Sequence, residues 1–182
     1  MRPLPAASAL LVEHLERVGQ AAHLGPVLDV ACGRGRHCLE AARAGFRVVG
    51  MDRSEESLRE LRERAALAGL ALSTVRTDLE TAAGIPVRPG SCGAILVFRF
   101  LFRELAPAIV ASLAPGGVLV YETFTVGQAE LPYGPNNPDF LLGAGELPSL
   151  FENLDVEFFW EGDTDAERPE ALARLVASRP VH

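Results

Sequence analysis

The chain of 182 residues contains no lysine: all 17 of its cationic side chains are arginines. That excludes Schiff-base chemistry and a lysine-tipped phosphate loop. Cysteine is scarce and odd in number, with Cys32, Cys38 and Cys92 lacking the spacing of a metal cluster, so no metal site is expected. Two of the three flank a glycine turn, where a small apolar side chain packs well. No apolar run approaches the roughly 20 residues a membrane helix needs. No basic start followed by an apolar stretch marks a leader, so no membrane partner and a cytoplasmic setting are expected. Positive charge is also short, at a formal net charge of −7. Nucleic-acid phosphates ordinarily meet a basic face, so no nucleic-acid partner is expected. What the chain does have is apolar content, 48% of residues, which argues against disorder. With no internal repeat and no second core, the length fits one domain over residues 1–182.

The most informative stretch is Val27-Leu28-Asp29-Val30-Ala31-Cys32-Gly33-Arg34-Gly35-Arg36-His37. A short apolar run reads as a buried strand, and a glycine-rich turn then hands the chain to a helix through Leu39, Ala41 and Ala42. Glycine at 33 and 35 lets backbone approach a ligand that a Cβ would block. Dinucleotides would bring an anionic pyrophosphate to this turn, and Asp29 would oppose it. The same carboxylate attracts the ammonium and sulfonium of S-adenosylmethionine. Cys38 stands where the third glycine of a dinucleotide fingerprint belongs, so the pattern favours S-adenosylmethionine. A second strand, Phe46–Asp52, ends in an acid 23 residues after the first, the distance expected of a ribose-binding carboxylate. A third, Leu70–Val75, leads into Asp78 and Leu79, placed to accept from an adenine amino group and to pack on its ring. Three acids at three successive strand ends make a cofactor site.

On these residues the chain resembles the class I S-adenosylmethionine-dependent methyltransferases, from Val27 to about Arg179. Asp29, Gly33 and Gly35 fall on the family's first motif, Asp52 on its ribose acid and Asp78 on its adenine-contacting acid. Ala114-Pro115-Gly116-Gly117 before Val118–Tyr121 looks like the turn preceding the family's fifth strand. Compactness makes the chain look most like small bacterial methyltransferases of the tellurite-resistance type. The resemblance implies cofactor contacts from Asp29, Ala31, Gly33, Gly35, Asp52, Arg53, Asp78, Leu79 and Phe98. It implies an α/β fold: a three-layer, doubly wound, mostly parallel seven-stranded sheet with an antiparallel closing strand. One departure stands out. The fourth strand, Gly93–Phe98, ends without the acidic or Asn-Pro-Pro-aromatic motif that several subfamilies use for catalysis.

The remaining pattern fits that fold. The N-terminal region, residues 1–20, reads as a helix with its periodic part at Ala6–Val18 and Gly19 as its stop. Ser54 caps a helix ending at Gly69, and Pro107 suits the start of another running to Leu113. Val118–Thr123 is the fifth strand, and Leu154–Trp160 with Ala173–Ala177 form the closing antiparallel pair. Residues 125–145 carry three prolines, four glycines and no helical or alternating pattern. A connection this long without structure is generally functional or disordered. It leaves the carboxyl end of strand five, where open α/β sheets bind ligands, and is expected to be a lid over the methyl acceptor.

Methyl transfer asks little of side chains beyond holding two reactants in line. A base is needed only for a protonated acceptor, and the candidates are His37, Glu122 and Tyr121. His37, in the first turn after the glycine loop, could contact cofactor, cap the loop or take a proton. Glu122 alternates with Tyr121 and Thr123, so its side chain faces either the helices or the cleft. Arg99 and Arg103 could attract an anionic acceptor or pair with neighbouring acids. The reading is a methyltransferase acting on a small-molecule nucleophile, such as a thiol or chalcogen oxyanion. The alternatives are an RNA or protein methyltransferase and a non-catalytic S-adenosylmethionine-binding module.

Overall fold

A computed structural model describes residues 3–81 and 84–181; the outermost residues of the domain and of the N-terminal helix expected from the sequence lie outside it. Seven strands, β1 (Val27–Val30), β2 (Val48–Asp52), β3 (Ser73–Arg76), β4 (Cys92–Phe98), β5 (Leu113–Phe124), β6 (Asp155–Asp163) and β7 (Ala171–Ser178), form one sheet. Their order is β3-β2-β1-β4-β5-β7-β6. The first five run parallel, and β7 inserts antiparallel between β5 and β6. Chain direction reverses in strand order beside β1, so the carboxyl ends of β1, β2, β4 and β5 open onto a shared crevice. This is the doubly wound α/β architecture expected from the sequence. Among the described residues no helix is long and apolar enough to cross a membrane.

Period-two alternation sorts the strands into two cores. Leu28, Val30, Ile95, Val97, Leu119 and Tyr121 face α5 (Ala106–Ser112) and α6 (Glu146–Leu150). Val27, Ala94, Leu96, Val118 and Val120 face α1 (Ala9–Glu13), α2 (Leu15–Ala22), α3 (Arg36–Arg43) and α4 (Glu55–Leu67). Ser54 caps α4 by accepting from Ser57 N–H at 3.2 Å. A cap of this kind is worth about 1 kcal/mol.

Four local expectations are corrected. The N-terminal helix is two helices, broken at His14, whose backbone leaves the helical region while its Nδ1 approaches Leu10 O at 2.9 Å. Gly19 does not stop the second helix. It lies inside α2, where a Cβ would sit 3.3 Å from the Phe46 ring, so its place is one of close packing rather than termination. The third strand begins at Ser73 rather than Leu70, because Leu70 N–H donates to Ala65 O and closes α4 beyond a left-handed Gly69. Residues 125–145 are not structureless. They hold 3₁₀ turns at Val126–Glu130 and Pro138–Phe140 and a bridge from Thr125 to Leu142.

The two buried acids of the sheet lie on its α1–α4 side. Asp29 is 1% exposed, and Cys38 Sγ donates to its Oδ2 at 3.1 Å. Burial raises the Asp29 carboxyl to about 7, against the hydrogen bonds from Cys38 and the charge of Arg36, which lower it. Burial drives the Cys38 thiol well above its ordinary value. Both Sγ atoms of Cys32 and Cys38 converge on Gly50, where an added Cβ would meet them at 3.0 and 2.8 Å.

Two stability measurements follow from this packing. Gly50→Ala should cost about 1–3 kcal/mol in urea unfolding, as expected of overpacking; an unchanged midpoint would show that the two thiols and Leu61 yield freely. The folded state holds the Asp29 proton up to about pH 7 while the unfolded chain releases it near pH 4. Its contribution to stability is therefore present at pH 4 and lost as pH rises to 7. Asp29→Asn should remove that loss, so the fall in urea midpoint from pH 5 to pH 8 should be smaller in the variant. Equal falls in both proteins would overturn the assignment.

Candidate active site

The loop leaving β1 carries three left-handed residues in five, Ala31 (φ 54°), Gly33 (φ 52°) and Gly35 (φ 78°). Gly35 is needed for space as well, since a Cβ there would lie 2.2 Å from Leu61 Cδ1. Nothing lies within 4 Å of the Cβ position of Gly33, so the space above it is open. Asp52, the last residue of β2, holds this loop from outside. Its Oδ2 accepts from Gly33 N–H and its Oδ1 from Ser54 N–H, both at 2.8 Å. A carboxylate has about four lone-pair positions, so half of its acceptor capacity is left over.

Three adjoining cavities follow the crevice. The first, about 190 Å³, is lined by Ala31, Asp52, Arg53, Thr77, Asp78, Leu79, Glu80 and Phe100. Asp78 there accepts from Glu80 N–H at 3.0 Å, and Arg53 pairs with Glu80 at 2.7 Å. The second, about 690 Å³, runs over the glycine loop and is bounded by Arg36, His37, Phe98, Arg99, Phe124 and Glu170. The third, about 330 Å³, lies under residues 135–140, between Phe100, Leu101, Phe124, Pro135 and Phe140. Of the nine residues expected to contact cofactor, Ala31, Asp52, Arg53, Asp78 and Leu79 line the first cavity, while Gly33, Gly35 and Phe98 line the second. Asp29 lines none of the three and points to Cys38.

The candidate bases are all engaged. His37 is 4% exposed, stacks on Phe98 with ring centroids 3.8 Å apart, and accepts from Ser8 N–H through Nε2 at 3.2 Å. Burial, then the charges of Arg36 and Arg99, lower it to about 3, so the ring stays neutral with its lone pair occupied. Glu122 is 1% exposed and faces the N-terminal helices. Its Oε2 accepts from Ser8 Oγ and Arg174 Nε, each at 2.8 Å, and its Oε1 lies 3.3 Å from Arg99 Nη2. Tyr121 donates to Phe100 O at 2.9 Å, and burial raises its phenol further. Arg103 clamps the segment over the third cavity, donating to Asp139 O and Leu141 O and pairing with Glu146 at 2.5 Å.

Sequence reasoning missed Phe100, Phe124 and Glu170 as lining residues. The two phenylalanines sit just past apolar strand ends and look like core from the sequence. Glu170 arrives through the β6–β7 hairpin with no motif around it. Among the described residues no cluster of metal-ligating side chains occurs.

Residues 27–117, half of the chain, match the family described as "Methyltransferase domain". Solved structures share the fold at low identity. A SAM-dependent methyltransferase from Methanosarcina mazei superposes with a TM-score of 0.74 at 15% identity, covering 98% of this chain and 100% of its own. TehB from Haemophilus influenzae gives 0.72 at 20% identity; the match covers 91% of this chain but only 62% of TehB. Geranyl diphosphate C-methyltransferase from Streptomyces coelicolor, solved with S-adenosyl-L-homocysteine, gives 0.66 at 15% identity over 88% of this chain and 77% of its own. With the glycine loop, the acid at the end of β2 and the strand order in place, the chain belongs to the class I S-adenosylmethionine-dependent methyltransferases.

Proposed function

We propose that this methyltransferase transfers its methyl group to a small-molecule nucleophile, of the thiol or chalcogen-oxyanion kind, in the cavity beneath residues 135–140. The observation that carries the reading is that cavity: about 330 Å³, walled by Phe100, Leu101, Phe124, Pro135 and Phe140, and adjoining the cleft over the glycine loop. Its size suits a compact ligand, near the lower end of the roughly 300–1,000 Å³ common for small-molecule sites. A nucleic-acid or protein acceptor would call for a broad docking face, and the net charge of −7 opposes the former. Residues 125–145 serve as the lid in this reading, and the three unpaired cysteines suit the reducing cytoplasm.

The residues present fit the cofactor. The open space above Gly33 admits a ligand where any side chain would stand, and the spare lone pairs of Asp52 suit two ribose hydroxyls. Asp78 and Leu79 offer an acceptor and an apolar face in the small cavity beside it. Bound S-adenosylmethionine supplies a methyl group on a sulfonium, open to in-line displacement with the electron pair left on sulfur. The chain's own part is placement. Phe98 and Phe124 line the cleft, Phe98 stacked on His37 and Phe124 carrying the Arg99 guanidinium over its ring. Pro135 and Phe140 line the acceptor side, where closure on a bound acceptor would exclude water. A thiolate needs no base, consistent with His37 and Glu122 acting as struts.

Asp52→Ala should weaken S-adenosylhomocysteine binding at least tenfold by calorimetry, since a hydrogen bond to a charged group is worth about 1.5–3 kcal/mol. Binding within threefold of wild type would remove Asp52 from the ribose site. Leu141 and Leu142 of the covering segment are core residues, so its tip is the part to alter. Pro135→Gly with Phe140→Ala should leave S-adenosylhomocysteine affinity nearly intact and cut turnover several-fold. Turnover is read as S-adenosylhomocysteine release with a panel of thiols, selenite, tellurite and amines. Unchanged turnover would make the segment a passive insertion. Methylation confined to RNA or protein pools, or no release with any acceptor, would overturn the small-molecule reading.

A further inference from the structure

Arg99 differs from every other cation around the crevice. It stands immediately after β4 at φ 59°, a left-handed conformation that a non-glycine residue holds only when its surroundings impose it. Here the imposition is visible: Arg99 N–H donates to Glu122 O at 2.8 Å, extending the ladder to β5 one residue past the turn. The side chain then lines both the cleft over the glycine loop and the cavity under residues 135–140. Among the described residues lining the latter cavity it is the only cation, and Glu80 is the only acid.

The guanidinium is half used. Nη2 meets Glu170 at 2.8 Å and Glu122 at 3.3 Å, and the ring of Phe124 lies 4.5 Å from its carbon. Nη1 is shielded from solvent and has no hydrogen-bond partner. Glu122 Oε1 is shielded and unpartnered in the same way, so what a ligand in the chamber meets is the exposed part of the Arg99 side chain, 24% accessible. Arg174 also pairs with Glu122, and Arg36 feels the charges of Arg99, Glu122, Asp29 and Glu170, so three guanidiniums share this corner with three acids. The rest of the chamber is apolar, from Phe100, Leu101, Phe124, Pro135 and Phe140.

We propose that the methyl acceptor is a small organic acid whose anionic group is received by Arg99, while its apolar body packs between Phe100, Phe124, Pro135 and Phe140. This rests on the reading of that cavity as the acceptor chamber. The anion is the handle that fixes register, and a separate atom of the same molecule is the nucleophile. A planar fork suits a carboxylate or similar oxyanion better than any other anion. The apolar walls favour a one-ring or short-chain body over a bare inorganic ion.

The test uses protein loaded with S-adenosylhomocysteine and titrated with 4-methylbenzoate, its neutral isostere 4-methylbenzamide, and selenite. The acid should bind about tenfold or more tighter than the amide, and tighter than selenite. Arg99→Gln should erase the preference over the amide while S-adenosylhomocysteine affinity stays within about threefold of wild type. Glu170→Gln removes a carboxylate that competes for the guanidinium and should tighten the acid, which keeps the proposal testable if Arg99→Gln does not fold. Equal binding of acid and amide, no binding of either, or a preference that survives Arg99→Gln would overturn it. So would loosened acid binding in Glu170→Gln, or a tenfold loss of cofactor affinity in Arg99→Gln, which would assign Arg99 to the cofactor. Selenite binding tighter than the acid would overturn the apolar half. Turnover separates this proposal from the one beneath it. Preference for 4-mercaptobenzoate over 4-methylbenzenethiol supports the acid handle, and equal turnover overturns it while leaving the small-molecule reading intact. Methylation confined to RNA or protein overturns both.

Discussion

A carboxylate sealed from water must be neutralised, and Glu122 shows how much of the molecule that requirement organises. At 1% exposure it collects Arg174 from β7, Arg99 from the turn after β4, and the Ser8 hydroxyl from the start of α1. Ser8 in turn caps α1 through its Oγ and donates its backbone N–H to His37 at the head of α3. One buried charge thus ties the N-terminal segment, the closing strand and the glycine-loop helix to the centre of the sheet. Desolvating an ion costs several kcal/mol unless it is paired and hydrogen-bonded, so the partners cannot be traded away singly. The acid that looks like a base in the sequence is the fastening of the crevice.

Asp52 plays the matching part on the other side of β1. Two backbone N–H groups converge on it, one from the glycine loop and one from the residue that caps α4. The loop therefore keeps its left-handed turns before any ligand arrives. Preorganisation of this kind lowers what binding must spend on ordering the chain. Asp29 is the odd member of the three strand-end acids. It turns away from the crevice to a thiol, and its burial is supported by Cys38 rather than by an arginine. Alternation does not separate the two acids: Asp29 pairs with Gly50, two residues before Asp52, so both fall on one face, and Asp52 is half-buried because it stands further along, at the strand end.

Much of this was legible in the sequence because the chemistry repeats along it. Apolar runs ending in Asp52 and near Asp78, each preceded by a helix, carry the period and spacing of a doubly wound sheet, and the strands and crevice follow. The glycines at 33 and 35 announced the loop for the same reason. What stayed hidden depends on distant partners. Ala31 and Arg99 adopt backbone angles that their residue types do not advertise. Gly19 read as a stop because nothing local reveals the Phe46 ring pressed against it. The order of residues 125–145 comes from Arg103 and Glu146 gripping its backbone, and from Gln128, which donates to Tyr133 O and accepts from Ala171 N–H. None of these contacts has a sequence period.

The β6 strand leaves the sheet with one unpaired side, the situation that invites strands from other copies to add on. Its exposed Val156 and Phe159 would make that edge adhesive on their own. The same nine residues, however, hold Asp155, Glu157, Glu161 and Asp163, and the pairing of Arg17 with Glu157 neutralises only one of them. Two such edges brought together would set acid rows against each other in a protein already at −7. Acidity read at the outset as a statement about partners is, at this edge, a colloidal safeguard: it keeps an open sheet from polymerising without a covering helix.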